Sequence, residues 1–257
     1  MNDPNQRYST ILTPGAFEAL RHLGVTVFVA AIVATIFTAW TPTSILPPET
    51  ANRIAVAIAT RVGAASTLPP PTPTPRPAPR VGLVAGHMGN DSGAVCPDGL
   101  TEASVNLDVA NRVKAALEGA GYQVDLLAEF DDRLVGYEAQ ALVSIHADSC
   151  DYINDEASGF KVASALQSQV PDESARLVAC LHDRYADRTG MSFHAGSITF
   201  DMTEYHAFRE IDAQTPAAII ETGFLNLDRA ILTERPDLVA QGITDGILCY
   251  TRSEPVP

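Results

Sequence analysis

The chain has 257 residues and is 46% hydrophobic, enough for one sizeable core with further segments attached. Its net charge of −14 is unevenly spread: residues 1–80 carry six Lys/Arg against three Asp/Glu, and residues 81–257 carry eleven against twenty-eight. A C-terminal part this acidic repels phosphate backbones, which argues against nucleic-acid binding without naming another substrate.

A short tail, residues 1–22, precedes the run Leu23–Trp40, LGVTVFVAAIVATIFTAW, which holds no charged residue. At about 1.5 Å per residue this run just spans a hydrocarbon core of roughly 30 Å. It starts too late for the core of a cleaved signal peptide and ends in Trp40, a residue suited to the membrane interface, so a single transmembrane helix is expected. Arg7 and Arg21 precede it and Arg53 and Arg61 follow it, so basic-residue asymmetry does not fix the orientation. Residues 41–80 form a linker that closes on TLPPPTPTPRPAPR (Thr67–Arg80), a Pro/Thr density that favours extended polyproline II over a packed core.

From Val81 to about Arg252 strands alternate with helices. VGLVAG (Val81–Gly86) reads as a buried first strand, and Glu102–Ala120 places Val105, Val109, Val113, Ala116 and Leu117 on one helical face before Gly121. Further strands are expected at Gln123–Ala128, Ala141–Ala147, Gly159–Ala165 and Pro216–Thr222, with helices at Asp172–Asp187 and Pro236–Tyr250. This alternation implies one three-layer α/β domain, a central sheet covered by helices on both faces. The four cysteines, Cys96, Cys150, Cys180 and Cys249, form no CxxC pair, which argues against a cysteine-built zinc site. They admit two disulfides or four buried thiols.

Polar residues gather where these strands end. His87 follows the first strand, His146 ends the third, Glu221 ends the strand AIIE, and Glu102 opens the first helix. In open α/β sheets functional groups collect beyond the carboxyl ends of strands. Two imidazoles and a carboxylate form a ligand set for catalytic zinc, and a second carboxylate suits proton transfer. Each residue also has a plainer reading. A strand-end His is often a hydrogen-bonded structural residue, and a Glu at a helix start interacts favourably with the helix dipole. Glu221 is harder to dismiss, since a carboxylate directly after AAII is costly to bury without a partner.

The strings VAGHMGNDSGA, TEASVNLDVANRVKAALEGAGYQV, ALVSIHAD and PAAIIETGFLNL resemble, in order and spacing, the motifs of the zinc-dependent N-acetylmuramoyl-L-alanine amidases over Val81–Tyr250. The resemblance implies a zinc-exopeptidase-like fold with a mixed, mostly parallel sheet. It implies zinc held by His87, Glu102 and His146, and Glu221 as the catalytic carboxylate. The implied reaction is attack by zinc-activated water on the amide joining the lactyl group of N-acetylmuramic acid to L-alanine of peptidoglycan. It also implies an extracytoplasmic, monomeric catalytic domain on a single-pass anchor. Because Cys96 and Cys150 each follow a zinc-ligand motif, they are expected to pair, leaving Cys180 with Cys249.

The sequence departs from the family at Ala85, where Asp is usual, at Met88 in place of Gly, and at Asp148 in place of Asn. The Asp132–Ala141 stretch is also several residues short, so a helix there is expected to be trimmed. His182 is expected on a helix surface, and His194 and His206, in FHAGSITFDMTEYHAF, as groove-lining candidates. Two other functions compete with the amidase: a zinc peptidase of the same architecture, and a catalytically inactive, membrane-tethered wall-binding module.

Overall fold

A computed structural model describes residues 22, 24–33, 49, 53 and 78–257. The chain divides into two units, Met1–Pro75 and Arg76–Pro257. In the first, residues 24–33 are helical and leave Val25, Val27, Phe28, Val29, Ile32 and Val33 exposed. Among the described residues no helix is long and apolar enough to cross a membrane. The rest of Leu23–Trp40, and almost all of the tail and linker, lie outside the described residues.

The second unit holds five strands: β1 (Arg80–Ala85), β2 (Gln123–Leu127), β3 (Ala141–Asp148), β4 (Lys161–Ala163) and β5 (Ala217–Phe224). They lie in the order β2-β1-β3-β5-β4, parallel throughout except for β4, which runs antiparallel at the edge. The expected mixed, mostly parallel α/β sheet is therefore present. β4 is shorter than its apolar run predicts because the backbone of Phe160 pairs with the Ser192–His194 segment instead of β5.

Alternation along each strand divides the core in two. On one face Val81, Leu83, Ala85, Val143, Ile145 and Ile220 pack beneath three long helices, α1 (Glu102–Gly119), α2 (Pro171–Thr189) and α6 (Pro236–Thr251), the short α5 (Arg229–Glu234) lying just ahead of α6. On the other face Val84, Leu142, Ala217 and Ile219 meet Leu134, Tyr137, Met202 and Tyr205. That cover is thin. It consists of a 3-10 turn (Asp132–Leu134), loops, and two single-turn helices, α3 (Phe200–Thr203) and α4 (Ala207–Glu210). The expectation of helices on both faces is thus met unequally, and the shortened Asp132–Ala141 stretch supplies only the 3-10 turn.

Both cysteine pairs form as expected. Cys96–Cys150 ties the loop after β1 to the loop after β3, with Cα atoms 5.2 Å apart, and Cys180–Cys249 joins α2 to α6 at 5.7 Å. Cys180 and Cys249 close a separation of 69 residues, so replacing both by Ala is expected to lower stability by about 2–4 kcal/mol, read as a lower urea midpoint. In the unsubstituted chain, alkylation after unfolding should add no mass until reductant exposes all four thiols.

Candidate active site

Glu102 is set by the start of α1. The Thr101 side chain caps the helix by accepting the N–H of Ser104, and Glu102 falls in the first turn, where the helix dipole favours a negative charge. Its carboxylate is 6% exposed and fully engaged. Oε2 lies 3.2 Å from His87 Nε2 and accepts the N–H of Ala94; Oε1 lies 3.2 Å from His146 Nδ1 and accepts from Asn106 Nδ2 and the N–H of Ala147. Potential ligand atoms of His87, Glu102 and His146 all fall within 4.8 Å of one another.

The backbone is shaped around this triad. A Cβ at Gly86 would stand 2.4 Å from the His146 ring, and one at Gly93 would stand 2.6 Å from Glu102 Oε2. His87 itself adopts φ 66°, a left-handed conformation rare for a residue with a side chain. Its Nδ1 lies 2.5 Å from Asp91 Oδ1.

Glu221 enters from β5, directly beside His146 in the sheet register. The residue is partly exposed, but Oε2 is sealed from solvent without a hydrogen-bond partner. Across the antiparallel pairing stands Lys161, itself 3% exposed, whose Nζ lies 2.5 Å from Asp148 Oδ2 and 5.3 Å from the centre of the Phe224 ring. One charged residue within an otherwise apolar strand, Lys161 in GFKVASA, was the available sign of this pair.

A further carboxylate escaped the reading of the sequence. Glu129, just past β2, is 6% exposed, and its Oε2 accepts the His87 N–H at 2.7 Å and lies 3.5 Å from His146 Nε2. Its Oε1 accepts the Tyr205 hydroxyl at 2.9 Å and sits 3.1 Å from His206 Nε2. Glu129 follows a strand, the same position that singled out His146 and Glu221. His206 therefore reaches the site, with exposed Phe130 stacked on its ring at 4.2 Å. His194 instead pairs with Ser197, and His182 is exposed on α2.

Charge and burial perturb these groups in opposite directions. Burial raises the Glu221 carboxyl, the charge on His146 opposes this, Asp148 adds to it, and the result is about 7. Burial also works against the Glu102 and Glu129 carboxylates, but imidazole partners prevail: Glu102 is lowered chiefly through His146, and Glu129 falls to about 2 with His206, His146 and the His87 N–H as the main contributors. His146 is raised despite burial because Glu102, Glu221 and Glu129 surround it. Burial and the Glu129 charge raise Tyr205, so its hydroxyl stays a donor at neutral pH.

The family model described as N-acetylmuramoyl-L-alanine amidase matches residues 81–249. Among curated proteins the chain is similar to the N-acetylmuramoyl-L-alanine amidase LytC of Bacillus subtilis (strain 168), 28% identical over 181 residues. That match covers 65% of this chain and 34% of the relative, so the chain spans about a third of that protein's length. Among solved structures it resembles the amidase AmiC2 of Nostoc punctiforme, with 26% identity and a TM-score of 0.53 over 67% of this chain and 97% of that one. Ami1 from Mycobacterium smegmatis, 23% identical with a TM-score of 0.56 over 69% and 99% of the two chains, shares the fold.

The raised carboxyl of Glu221 gives the metal-free protein a pH signature. Its ordinary value of 4.5 applies in the unfolded chain and about 7 in the folded one, so the stability linked to its proton is fully present below pH 4.5 and lost as pH rises through 7. Glu221→Gln cannot ionise and escapes that loss. Its stability relative to the unsubstituted chain should grow by up to about 3 kcal/mol across this window, measured by urea unfolding at a series of pH values. A difference that does not change with pH would mean that Glu221 titrates normally.

Proposed function

The chain belongs to the N-acetylmuramoyl-L-alanine amidase family, and on that premise we propose that it hydrolyses the amide between N-acetylmuramic acid and L-alanine in peptidoglycan, with zinc held by His87, Glu102 and His146 and with Glu221 as the catalytic carboxylate. The observation that carries this reading is the convergence of those three side chains within 4.8 Å, with Glu221 next to His146 across the sheet.

The donor set suits the metal. Two imidazole nitrogens and a carboxylate oxygen match catalytic zinc, and the potential ligand atoms of the three side chains already converge within 4.8 Å. When bound, the ion would supply a Lewis acid that polarises the amide carbonyl and acidifies a water molecule toward neutral pH. The protein supplies the rest. Glu221, beside His146 in the sheet, takes the proton of the attacking water and passes it to the departing amide nitrogen. Lys161 and Asp148 place a fixed charge pair beside it. Tyr205 keeps its proton and donates to Glu129, which supports the His87 backbone.

We propose in addition that Leu23–Trp40 anchors the chain in a membrane and that the domain acts outside the cytoplasm as a monomer. Support comes from the uncharged run, the apolar side chains exposed along residues 24–33, two disulfides of the kind that persist in oxidising compartments, and a substrate found in the cell wall.

The full-length chain, purified in detergent, should release new amino termini from isolated peptidoglycan, and those termini should be alanine. Other amino-terminal residues would indicate the peptidase alternative, and no release by a zinc-replete chain would favour a wall-binding module. Glu221→Gln should reduce the rate by about 10²–10⁴-fold with zinc content retained, the range of a lost general acid–base group. His146→Ala should lose the metal as well, measured by elemental analysis. Deleting residues 1–41 should move the chain from the membrane fraction to the soluble fraction.

A further inference from the structure

We propose that Glu129 is the positioning residue of this metal site: it fixes which nitrogen of His146 is free to bind the ion, and it holds the His87 backbone in place. The inference rests on the reading of His87, Glu102 and His146 as ligands.

A neutral imidazole carries one proton, so a ring that binds a metal through one nitrogen must present N–H at the other. A carboxylate behind the ring settles which nitrogen is which and raises ligand basicity. Asp91 stands behind His87: Nδ1 lies 2.5 Å from Asp91 Oδ1, leaving Nε2 toward Glu102 at 3.2 Å. Glu129 stands in the corresponding place for His146. The Nδ1 of that ring faces Glu102 Oε1 at 3.2 Å, and the Nε2, buried and otherwise without a partner, lies 3.5 Å from Glu129 Oε2. Two carboxylates flank this ring, Glu102 within hydrogen-bonding reach of Nδ1 and Glu129 somewhat farther from Nε2; with the proton turned to Glu129, the Nδ1 lone pair is aimed at the other two ligands.

The same oxygen accepts the His87 N–H at 2.7 Å. His87 has φ 66°, which a residue with a side chain adopts only when its surroundings enforce it, and this hydrogen bond is one such restraint. One carboxylate therefore touches both ligand histidines, one through the ring and one through the backbone. Glu129 is held in turn from behind by the Tyr205 hydroxyl at 2.9 Å and by His206 Nε2 at 3.1 Å, and Tyr205 also receives a hydrogen bond from Ser144 on β3. Ala85 leaves the end of β1 without a carboxylate, and Glu129 brings one from just past the neighbouring strand β2.

The test uses the full-length chain with ¹⁵N-labelled histidine. Long-range ¹H–¹⁵N spectra at about pH 9, where a free imidazole is neutral, report the proton position on His146 with and without zinc. The expected result is a proton on Nε2 in both states. A proton on Nδ1 in the unsubstituted protein overturns the proposal whatever the variants do. Zinc affinity, measured by competition with a chromophoric chelator, should fall about 10–100-fold in Glu129→Ala, the usual effect of removing a carboxylate that orients a ligand histidine. Glu129→Gln keeps an acceptor oxygen and should recover most of that affinity together with the Nε2–H tautomer. Equal zinc affinity and an unchanged tautomer in a folded Glu129→Ala also overturn the proposal. Absence of zinc binding by the unsubstituted chain overturns the metal-site reading itself, while its metal-free spectrum still decides whether Glu129 sets the tautomer.

Discussion

A carboxylate taken out of water costs several kcal/mol unless its oxygens are filled, and Glu102 is where this chain meets that demand. Its two oxygens collect the rings of His87 and His146, the Asn106 amide, and the N–H groups of Ala94 and Ala147. Those groups belong to the loop after β1, to α1 and to β3, so satisfying one side chain locks three pieces of the fold together. The Cys96–Cys150 bond joins the same two loops a few residues further on. The absence of side chains at Gly86 and Gly93 follows from the same convergence, since a methyl group at either would enter the His146 ring or the Glu102 carboxylate.

The unequal cover of the sheet explains where chemistry can occur. Three long helices seal one face, while the other carries only loops and single helical turns. His146 and Glu221 alternate with Ile145 and Ile220, so their side chains fall on the thin face, beside Tyr205. The segment that builds the thin cover also delivers Tyr205 and His206 to Glu129, so the covering loops and the support of the site are one piece of chain.

Much of this is visible in the residue pattern before any coordinates. The long helices and the inner strands keep their expected bounds to within one or two residues, because an apolar period of 3.6 or a short buried run is set locally. His87, Glu102, His146 and Glu221 stand out because polar residues at strand ends and helix starts are conspicuous against apolar neighbours. Glu129 met the same criterion but sits among the acidic residues of AEFDD, where it looks like ordinary surface charge. The Asp148–Lys161 pair, and the contact of Tyr205 with Glu129 across 76 positions, depend on the strand order β3-β5-β4 and on irregular loops. No local period encodes those. β4 was overestimated for the same reason: its first residues have strand character but find Phe193 as a partner instead of β5.

The charge balance of the centre argues for a cation independently of any motif. Glu102, Glu129, Glu221, Asp148 and Asp91 surround two imidazoles, and the fixed positive charge of Lys161 stands against Asp148. In the metal-free protein, protons make up part of the deficit: His146 is raised by its three glutamates, and Glu221 is raised by burial and by Asp148. A dication bound by His87, Glu102 and His146 would take over that task and displace those protons, since a ligand nitrogen must be deprotonated to bind. On this view the raised carboxyl and the convergence of His87, Glu102 and His146 are two consequences of one excess of negative charge, gathered toward the carboxyl ends of β3 and β5.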